Sequence, residues 1–380
     1  MKNNRTFLKK LLNGAEIEWK PLGKVTDIKT GQSVSKNIIV QNPGIYPVIN
    51  SGREPLGFIN EWNTENDPIG ITTRGAGVGS ITWQEGKYFR GNLNYSVTIK
   101  SEYELNVRFL YHILLHFQKE IHNLCSFTGI PALNASELKK LEIPIPPLPV
   151  QTEIVKILDA LTALTSELTS ELTLRRKQYE YYREKLLSHN DSESSSQQKV
   201  DKDKLFSTSN IQWLHLNEIY KFQYGIGNKI PTIGGEYPVY GSNGIVGSHN
   251  EYNSEDAPVI GHIGAYAGIV NWAEGKHFVT YNGIICNKIN DNVNSRYAYY
   301  LLLSQNFIDK ANKASQPFIS YDILNKCIVP VPPIEEQQRI VSILDKFETL
   351  TNSITEGLPL AIEQSQKRYE YYRELLLNFS

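Results

Sequence analysis

Long apolar runs are missing from this 380-residue sequence. None approaches the roughly 20 residues that a membrane-crossing helix requires, and "MKNNRTFLKKLLNG" at the N-terminus shows no signal-peptide cleavage pattern, so a cytoplasmic protein with no membrane partner is expected. Cysteine is scarce: Cys125, Cys286 and Cys327 form an odd set without CxxC spacing, which argues against a disulfide framework or a zinc site and suits a reducing compartment. Net charge is nearly absent as well. With 39 Lys and Arg against 40 Asp and Glu, a formal charge of -1 leaves no global electrostatic footprint for nucleic acid. Methionine occurs once, whereas tyrosine occurs 22 times; charged residues make up 21% and aromatics 11%, a composition that folds rather than staying disordered.

Catalytic signatures are absent too. "GAGVG" from Gly75 resembles a phosphate loop only superficially, because it leads into the strand-like "SITW" and not into a helix N-terminus; a tight turn is the expected reading. His112 and His116 stand four apart on an expected helix, but a second copy of this region has Tyr300 and Ser304 there, which argues against metal ligation. Glu137 and Glu142 have nothing to pair them for acid-base work and read as solvated carboxylates. No catalytic residue, metal site or bound cofactor is expected in this chain.

What the sequence does hold is a duplication. "YEYYREKLL" from Tyr179 returns as "YEYYRELLL" from Tyr369, and the similarity spreads outward from there. "IPIPPLPVQTEIVKILD" matches "IVPVPPIEEQQRIVSILD", "WQEGKYF" matches "WAEGKHF", and "IEWKPLGKV" matches "IQWLHLNEI", all in the same order. A repeat of about 190 residues is too long for a solenoid and implies two similar domains. In each, short strands between Gly, Pro, Asn and Asp turns precede an amphipathic helix, an α/β (α+β) pattern. Each proline cluster then marks where a long helix begins.

Those long helices carry the clearest periodicity. Ile154, Leu158, Leu161, Thr165, Leu168 and Leu172 follow the alternating four-and-three rhythm of a coiled-coil seam, and Ile340, Leu344, Phe347, Thr351, Ile354 and Leu358 repeat it. Gly357 and Pro359 predict an interruption in the second helix. From Asp159 to Tyr179 is 20 residues, and from Asp345 to Tyr369 is 24. The tandem "LTSELTSEL" has a four-residue unit, so gain or loss of one unit changes such a helix by about 6 Å, one turn. "SHNDSESSSQQKVDKDK" between the copies reads as a flexible linker.

Turn-rich segments of the front domains carry side chains suited to reading base edges. The first copy offers Asn50, Ser51, Arg53, Arg74, Arg90, Asn92 and Asn94, and the second offers Gly241, Ser242, Asn243, His262, Tyr266, Tyr281 and Asn282. A matched loop before each long helix adds Thr128 and Asn134 in one copy, Gln316 and Ser320 in the other. The framework repeats while these residues differ, as two domains recognising different short sequences would require.

Two α/β domains, each ending in "PxPP", "Q", "IxxILD" and a helix closing on "YEYYRE", resemble the DNA-specificity (S) subunits of type I restriction-modification enzymes over almost the whole chain. The resemblance implies target-recognition domains at 1–145 and 210–330, the first with an N-terminal helix, conserved helical regions at 146–188 and 331–380, and a polar linker at 189–209. It further implies that the two helices pack as an antiparallel coiled coil setting the spacer of a bipartite double-stranded DNA target. Two modification (methyltransferase) subunits, using S-adenosylmethionine, and restriction (translocase and nuclease) subunits, using ATP and Mg, are the implied partners, so the chain itself would be non-catalytic and serve host defence. Tyr179, Tyr182, Tyr369 and Tyr372 are expected to fasten the helix ends or receive those partners. The first helix departs from the second in lacking a Gly-Leu-Pro interruption. The rival reading is a coiled-coil scaffold without DNA specificity, which a duplex titration would separate.

Overall fold

The computed structural model describes residues 4–52, 54–188, 211–227, 230–231, 233–312 and 315–379. The linker at 189–209 and the candidate Arg53 therefore lie outside the described residues. The chain falls into two compact units, and their boundaries cut across the sequence repeat: one comprises Met1–Thr169 with Ala361–Ser380, the other Ser170–Leu360.

The first unit begins with α1 (Asn4–Leu12), β1 (Glu18–Pro21), α2 (Leu22–Val25), β2 (Thr26–Thr30) and α3 (Lys36–Gln41). There follow β3 (Pro43–Ile49), β4 (Phe58–Ile59), β5 (Ile69–Thr72), β6 (Ile81–Trp83), β7 (Phe89–Arg90) and β8 (Asn94–Ile99). Helices α4 (Val107–His116), α5 (Gln118–Asn123) and α6 (Ala135–Leu138) then lead to β9 (Glu142–Ile145) and the long α7 (Leu148–Ser188). In the second unit β10 (Gln212–His215), α8 (Leu216–Ile219), β11 (Tyr220–Tyr224), β12 (Tyr237–Gly241), β13 (Gly244–His249), β14 (Ser254–Gly261), β15 (Val270–Val279) and β16 (Gly283–Lys288) repeat the order. Helices α9 (Ser295–Ser304), α10 (Phe307–Lys310) and α11 (Tyr321–Asn325), strand β17 (Ile328–Val331) and α12 (Ile334–Asn352) follow. The part of α7 from Ser170 onward also belongs to this unit, whereas α13 (Gly357–Leu377) belongs to the first unit from Ala361 onward.

The first unit has a four-stranded sheet, β2-β8-β5-β6, and a three-stranded one, β4-β3-β7. In the second unit one six-stranded sheet, β11-β16-β14-β15-β12-β13, does the work of both. The unbroken β15 pairs antiparallel with β14 and parallel with β12, whereas its counterpart is split into β6 and β7. Ala273, fully buried in β15, follows Trp272 where half-buried Gln84 follows Trp83, so only the second copy carries an apolar side chain into the core at the point where the strand continues. Strand β5 is buried at all four positions, as a central strand must be when both faces are covered.

Both proline clusters sit where expected. Strand β9 pairs with β1 with Trp19 opposite Pro144, β17 pairs with β10 with Trp213 opposite Pro330, and α7 and α12 start directly afterwards. Asparagine caps the preceding helix in each unit: Asn106 Oδ1 accepts from Arg108 and Phe109 N, Asn294 Oδ1 from Arg296 and Tyr297 N, satisfying donors that a helix start leaves unpaired.

The second long helix is interrupted, though not at Pro359. The non-helical residues are 353–356, equal in number to the four extra residues between Asp345 and Tyr369 (24 − 20). Gly357 opens α13 with φ +78, and a Cβ there would stand 2.5 Å from Thr349 O, so glycine is required where the chain turns back into helix. Pro359 lies in the first turn of α13, where no intrahelical N–H is lost. Ile354 is consequently not a seam residue; it sits in the break, 80% exposed.

Other seam positions pack within their own unit. Ile154 and Leu158 of α7 share a core with Leu22, Phe109, Ile113, Leu376 and Leu377, and Tyr369 and Tyr372 pack against it. Thr165 and Ser365 hydroxyls meet at 2.8 Å. In the second unit Ile340 and Leu344 share a core with Tyr179, Leu186 and Leu187, and Tyr182 stacks on Phe347 at 5.7 Å. Leu161, Leu168, Leu172 and Leu358 are half-buried, and Thr351 is buried. Each copy of the nonapeptide thus joins the core of the other repeat's domain.

Candidate nucleic-acid interface

Backbone hydrogen bonds draw three separated segments to one edge of each domain. In the first, Thr73 N donates to Leu93 O at 2.9 Å, Leu133 N to Thr73 O at 2.8 Å and Gly75 N to Pro131 O at 3.0 Å. In the second, His262 N donates to Asn282 O at 2.8 Å, Ile319 N to His262 O at 2.9 Å and Gly264 N to Pro317 O at 2.8 Å. The frame is the same bond for bond. "GAGVG" is a turn with Gly75 and Gly79 at positive φ, matched by Gly264 and Gly268; a Cβ on Gly268 would lie 2.5 Å from Ile308 N, so this turn needs glycine for packing and no phosphate role is required to explain it.

Side chains on that common frame differ in number and chemistry. Arg74, Asn92, Thr128 and Asn134 are exposed on the first domain and Ser51 is half-buried. On the second, Asn243 and Gln316 are exposed and Ser242, Asn282 and Ser320 are half-buried, while Tyr266 and Tyr281 are 49% and 47% exposed. Asn134 and Ser320 occupy helix N-cap positions, yet neither side chain makes a capping hydrogen bond, so both keep their polar atoms for another partner.

Several sequence candidates have other duties. Arg90 is 3% exposed: its guanidinium donates to the carbonyls of Ile69, Asp67 and Tyr95, to Asn94 Oδ1 and to Tyr88 Oη. Asn94 is buried as that acceptor, and buried Asn50 accepts from Leu93 N at 2.9 Å. Gly241 is buried inside β12. His262 is buried too, with Nδ1 at 3.0 Å from Tyr281 O. A polar side chain out of water and bonded internally is a poor base reader, because reaching a base would first break those bonds.

Sequence reading missed two features. Tyr224 stacks on Tyr321 at 4.2 Å with 14° between rings and lies 4.3 Å from His262, and both Tyr224 and His262 adjoin Tyr281, at 6.0 and 5.1 Å, forming a block of rings in the second domain. Asn63 clamps the backbone of Arg90 through both amide atoms, 2.7 and 3.0 Å, and Asn253 clamps Val279 likewise, 2.7 and 2.9 Å. The signal was available: "WNTE" and "YNSE" keep Asn while their neighbours change.

Among the described residues no cluster of three or more His, Cys, Asp and Glu side chains is placed to hold a metal. His112 Nε2 instead meets Asp159 Oδ1 at 2.8 Å, and Nδ1 lies 3.4 Å from Tyr369 Oη. Burial, opposed by Asp159 and reinforced by Arg108 and Arg373, holds this imidazole below its ordinary value of 6.5. The unfolded chain therefore binds the proton more tightly; this contribution to stability is complete above about pH 6.5 and is lost as pH falls below it. The melting temperature of the first unit is expected to drop between about pH 7 and about pH 5.5, and to drop less steeply in His112→Gln, which keeps a donor for Asp159. Equal slopes would count against this assignment. His116, lowered chiefly by burial in the same unit, leaves a residual slope.

The model of the type I restriction modification DNA specificity domain matches residues 15–178 and again 216–364. The chain belongs to the type I DNA-specificity family. It is 40% identical to a type I restriction enzyme specificity subunit of Haemophilus influenzae over the full length of both chains. With the specificity subunit of EcoR124I/EcoR124II from Escherichia coli it shares 32% identity, over 98% of this chain and 97% of the other. The solved specificity subunit from M. genitalium has the same fold, with a TM-score of 0.65 at 23% identity across 97% of this chain and 98% of that one. No helix among the described residues of this specificity-family chain is long and apolar enough to cross a membrane.

Proposed function

We propose that each α/β domain reads one half of a split double-stranded DNA sequence, and that α7 with α12 and α13, pairing as an antiparallel coiled coil, sets the unread gap and docks two methyltransferase subunits. The observation that carries this is the shared backbone frame with unlike exposed side chains. One frame presents Arg74, Asn92, Thr128 and Asn134, the other Asn243, Tyr266, Tyr281 and Gln316, and a protein reading two different half-sites needs that combination. The chain acts as the non-catalytic part of an adenine-N6 methyltransferase. Its partners supply the S-adenosylmethionine site and, in a restricting complex, the ATP and Mg sites, together with much of the cationic surface for phosphates that a net charge of -1 does not provide.

The direct test is genome-wide mapping of N6-methyladenine in cells with and without this chain. A bipartite methylated sequence that appears only with it is the expected result; no change in the methylome, with no duplex binding by the assembled complex, would favour a plain scaffold. Deleting 169–172, one "TSEL" unit inside the unbroken α7, removes about 6 Å of helix, a little under two base pairs at about 3.4 Å each. The same mapping is expected to show a changed gap and unchanged half-sites. Altered half-site bases with the original gap would reject the spacer role.

A further inference from the structure

Each unit contains the same polar joint between its recognition domain and the long helix that follows. Gln151 and Gln337 are 0% and 1% exposed, at the first turns of α7 and α12. Gln151 Oε1 accepts from Asn106 N at 2.8 Å, while Nε2 donates to Pro146 O at 2.8 Å and Glu104 O at 3.3 Å. Gln337 does the same with Asn294 N at 2.7 Å, Pro332 O at 2.8 Å and Asn292 O at 3.1 Å. Asn106 and Asn294 are the caps of α4 and α9, so one buried amide ties the start of the domain's helix to the start of the long one.

Eight residues further along, about 12 Å at 1.5 Å per residue, a second tie repeats. Arg108 Nε donates to both oxygens of Asp159 at 2.9 and 3.1 Å, and Arg296 Nη2 to Asp345 Oδ1 at 2.9 Å. Each guanidinium also lies over a tryptophan of the recognition sheet, Trp83 at 4.4 Å and Trp272 at 5.2 Å. A single attachment would let the domain rock on its helix. Two attachments about 12 Å apart on the same helix face fix the angle.

The third side of the joint differs between units. In the first, His112 meets Asp159 through Nε2 and Tyr369 through Nδ1; in the second, Tyr300 Oη lies 2.5 Å from Asp345 Oδ1 and 2.8 Å from Glu348 Oε2. The Gln and the Arg–Asp pair are what both copies retain.

We propose that Gln151 with Arg108–Asp159, and Gln337 with Arg296–Asp345, are positioning residues that hold each recognition domain at one angle on its helix and thereby set how strictly the gap between half-sites is enforced. This rests on the bipartite reading above. A side chain that merely stabilised the fold would weaken methylation at every gap alike; a positioning residue changes the preference among gaps.

The test uses the full chain assembled with its methyltransferase subunits and duplexes carrying both half-sites at the native gap, one base pair shorter and one longer. Asp159→Asn and Asp345→Asn keep side-chain size while removing the ion pair. The preference for the native gap is expected to fall about tenfold, equivalent to about 1.4 kcal/mol, with the bases required in each half-site unchanged. Reversing the pair, Arg108→Asp with Asp159→Arg, is expected to recover part of that preference. Should an Asn variant fail to fold, Arg108→Lys or Arg296→Lys, which keep the charge but lose the planar fork, take its place. Folded variants with the wild-type gap preference, or with equal loss at all gaps, would overturn the proposal. Wild-type complex that methylates duplexes carrying one half-site alone would instead overturn the bipartite reading.

Discussion

Replacing Leu376 and Leu377 together by alanine is expected to unfold the first unit while the second stays folded. Both leucines are fully buried near the end of the chain, in one core with Leu22, Phe109, Ile113, Ile154 and Leu158. A buried Leu→Ala change costs about 2–5 kcal/mol. Even allowing for non-additivity between neighbours, the pair removes about 4 kcal/mol or more, a large share of the 5–15 kcal/mol or so that holds a domain. Peptide-resolved hydrogen exchange reads this directly: protection is lost in β2, β5 and β8, and kept in β14 and β16. The mirror experiment, Leu186→Ala with Leu187→Ala, is expected to release the second unit, whose core those residues share with Ile340 and Leu344. Equal loss in both units, or loss confined to the helix carrying the substitution, would show that the nonapeptides do not hold these cores.

Arg90→Ala is expected to destabilise the first domain by about 3–5 kcal/mol, the cost of removing a buried guanidinium that holds several acceptors through Nη1 and Nη2. The substitution removes the guanidinium donors of the carbonyls of Ile69, Asp67 and Tyr95 and of the side-chain oxygen of Asn94, leaving Asp67 O only its bond from Tyr88 Oη. Loss of those buried hydrogen bonds, rather than loss of a DNA contact, drives the effect. Urea unfolding followed through first-unit signals measures it. A stably folded variant that has lost only the bases of the first half-site would return Arg90 to the reading residues. Arg74→Ala, on the exposed part of the same edge, is the contrast: stability within about 0.5 kcal/mol of the parent and a weakened or relaxed half-site.

Arg90 shows why the site was only partly legible in sequence. Composition and turn spacing pointed to segments that the fold brings to one edge of each domain, since Gly, Asn and Pro punctuate loops wherever they fall. They did not separate Arg90 from Arg74, because burial depends on strands brought together from distant parts of the chain. Pro359 shows a related limit. Its helix-breaking chemistry was evident, but the backbone placed it in the first turn of α13, where proline is tolerated, and moved the break to 353–356. Gln151 and Gln337 were visible only as part of a repeated string; nothing local announces that an exposed-looking glutamine after a proline cluster is buried with three backbone partners.

Duplication, the strand-rich front domains, the helix starts after each proline cluster and the period of the long helices were all determined by the sequence itself. Each is a short-range property, carried by hydrophobic period, proline geometry and turn chemistry within a few residues. Tertiary structure alone decided which side chains stay exposed on the shared edge of each domain, and that "YEYYREKLL" and "YEYYRELLL" each complete the core of the other repeat's domain. Those outcomes depend on which distant apolar faces bury one another, and two nearly identical helix ends carry no local difference that names their partner.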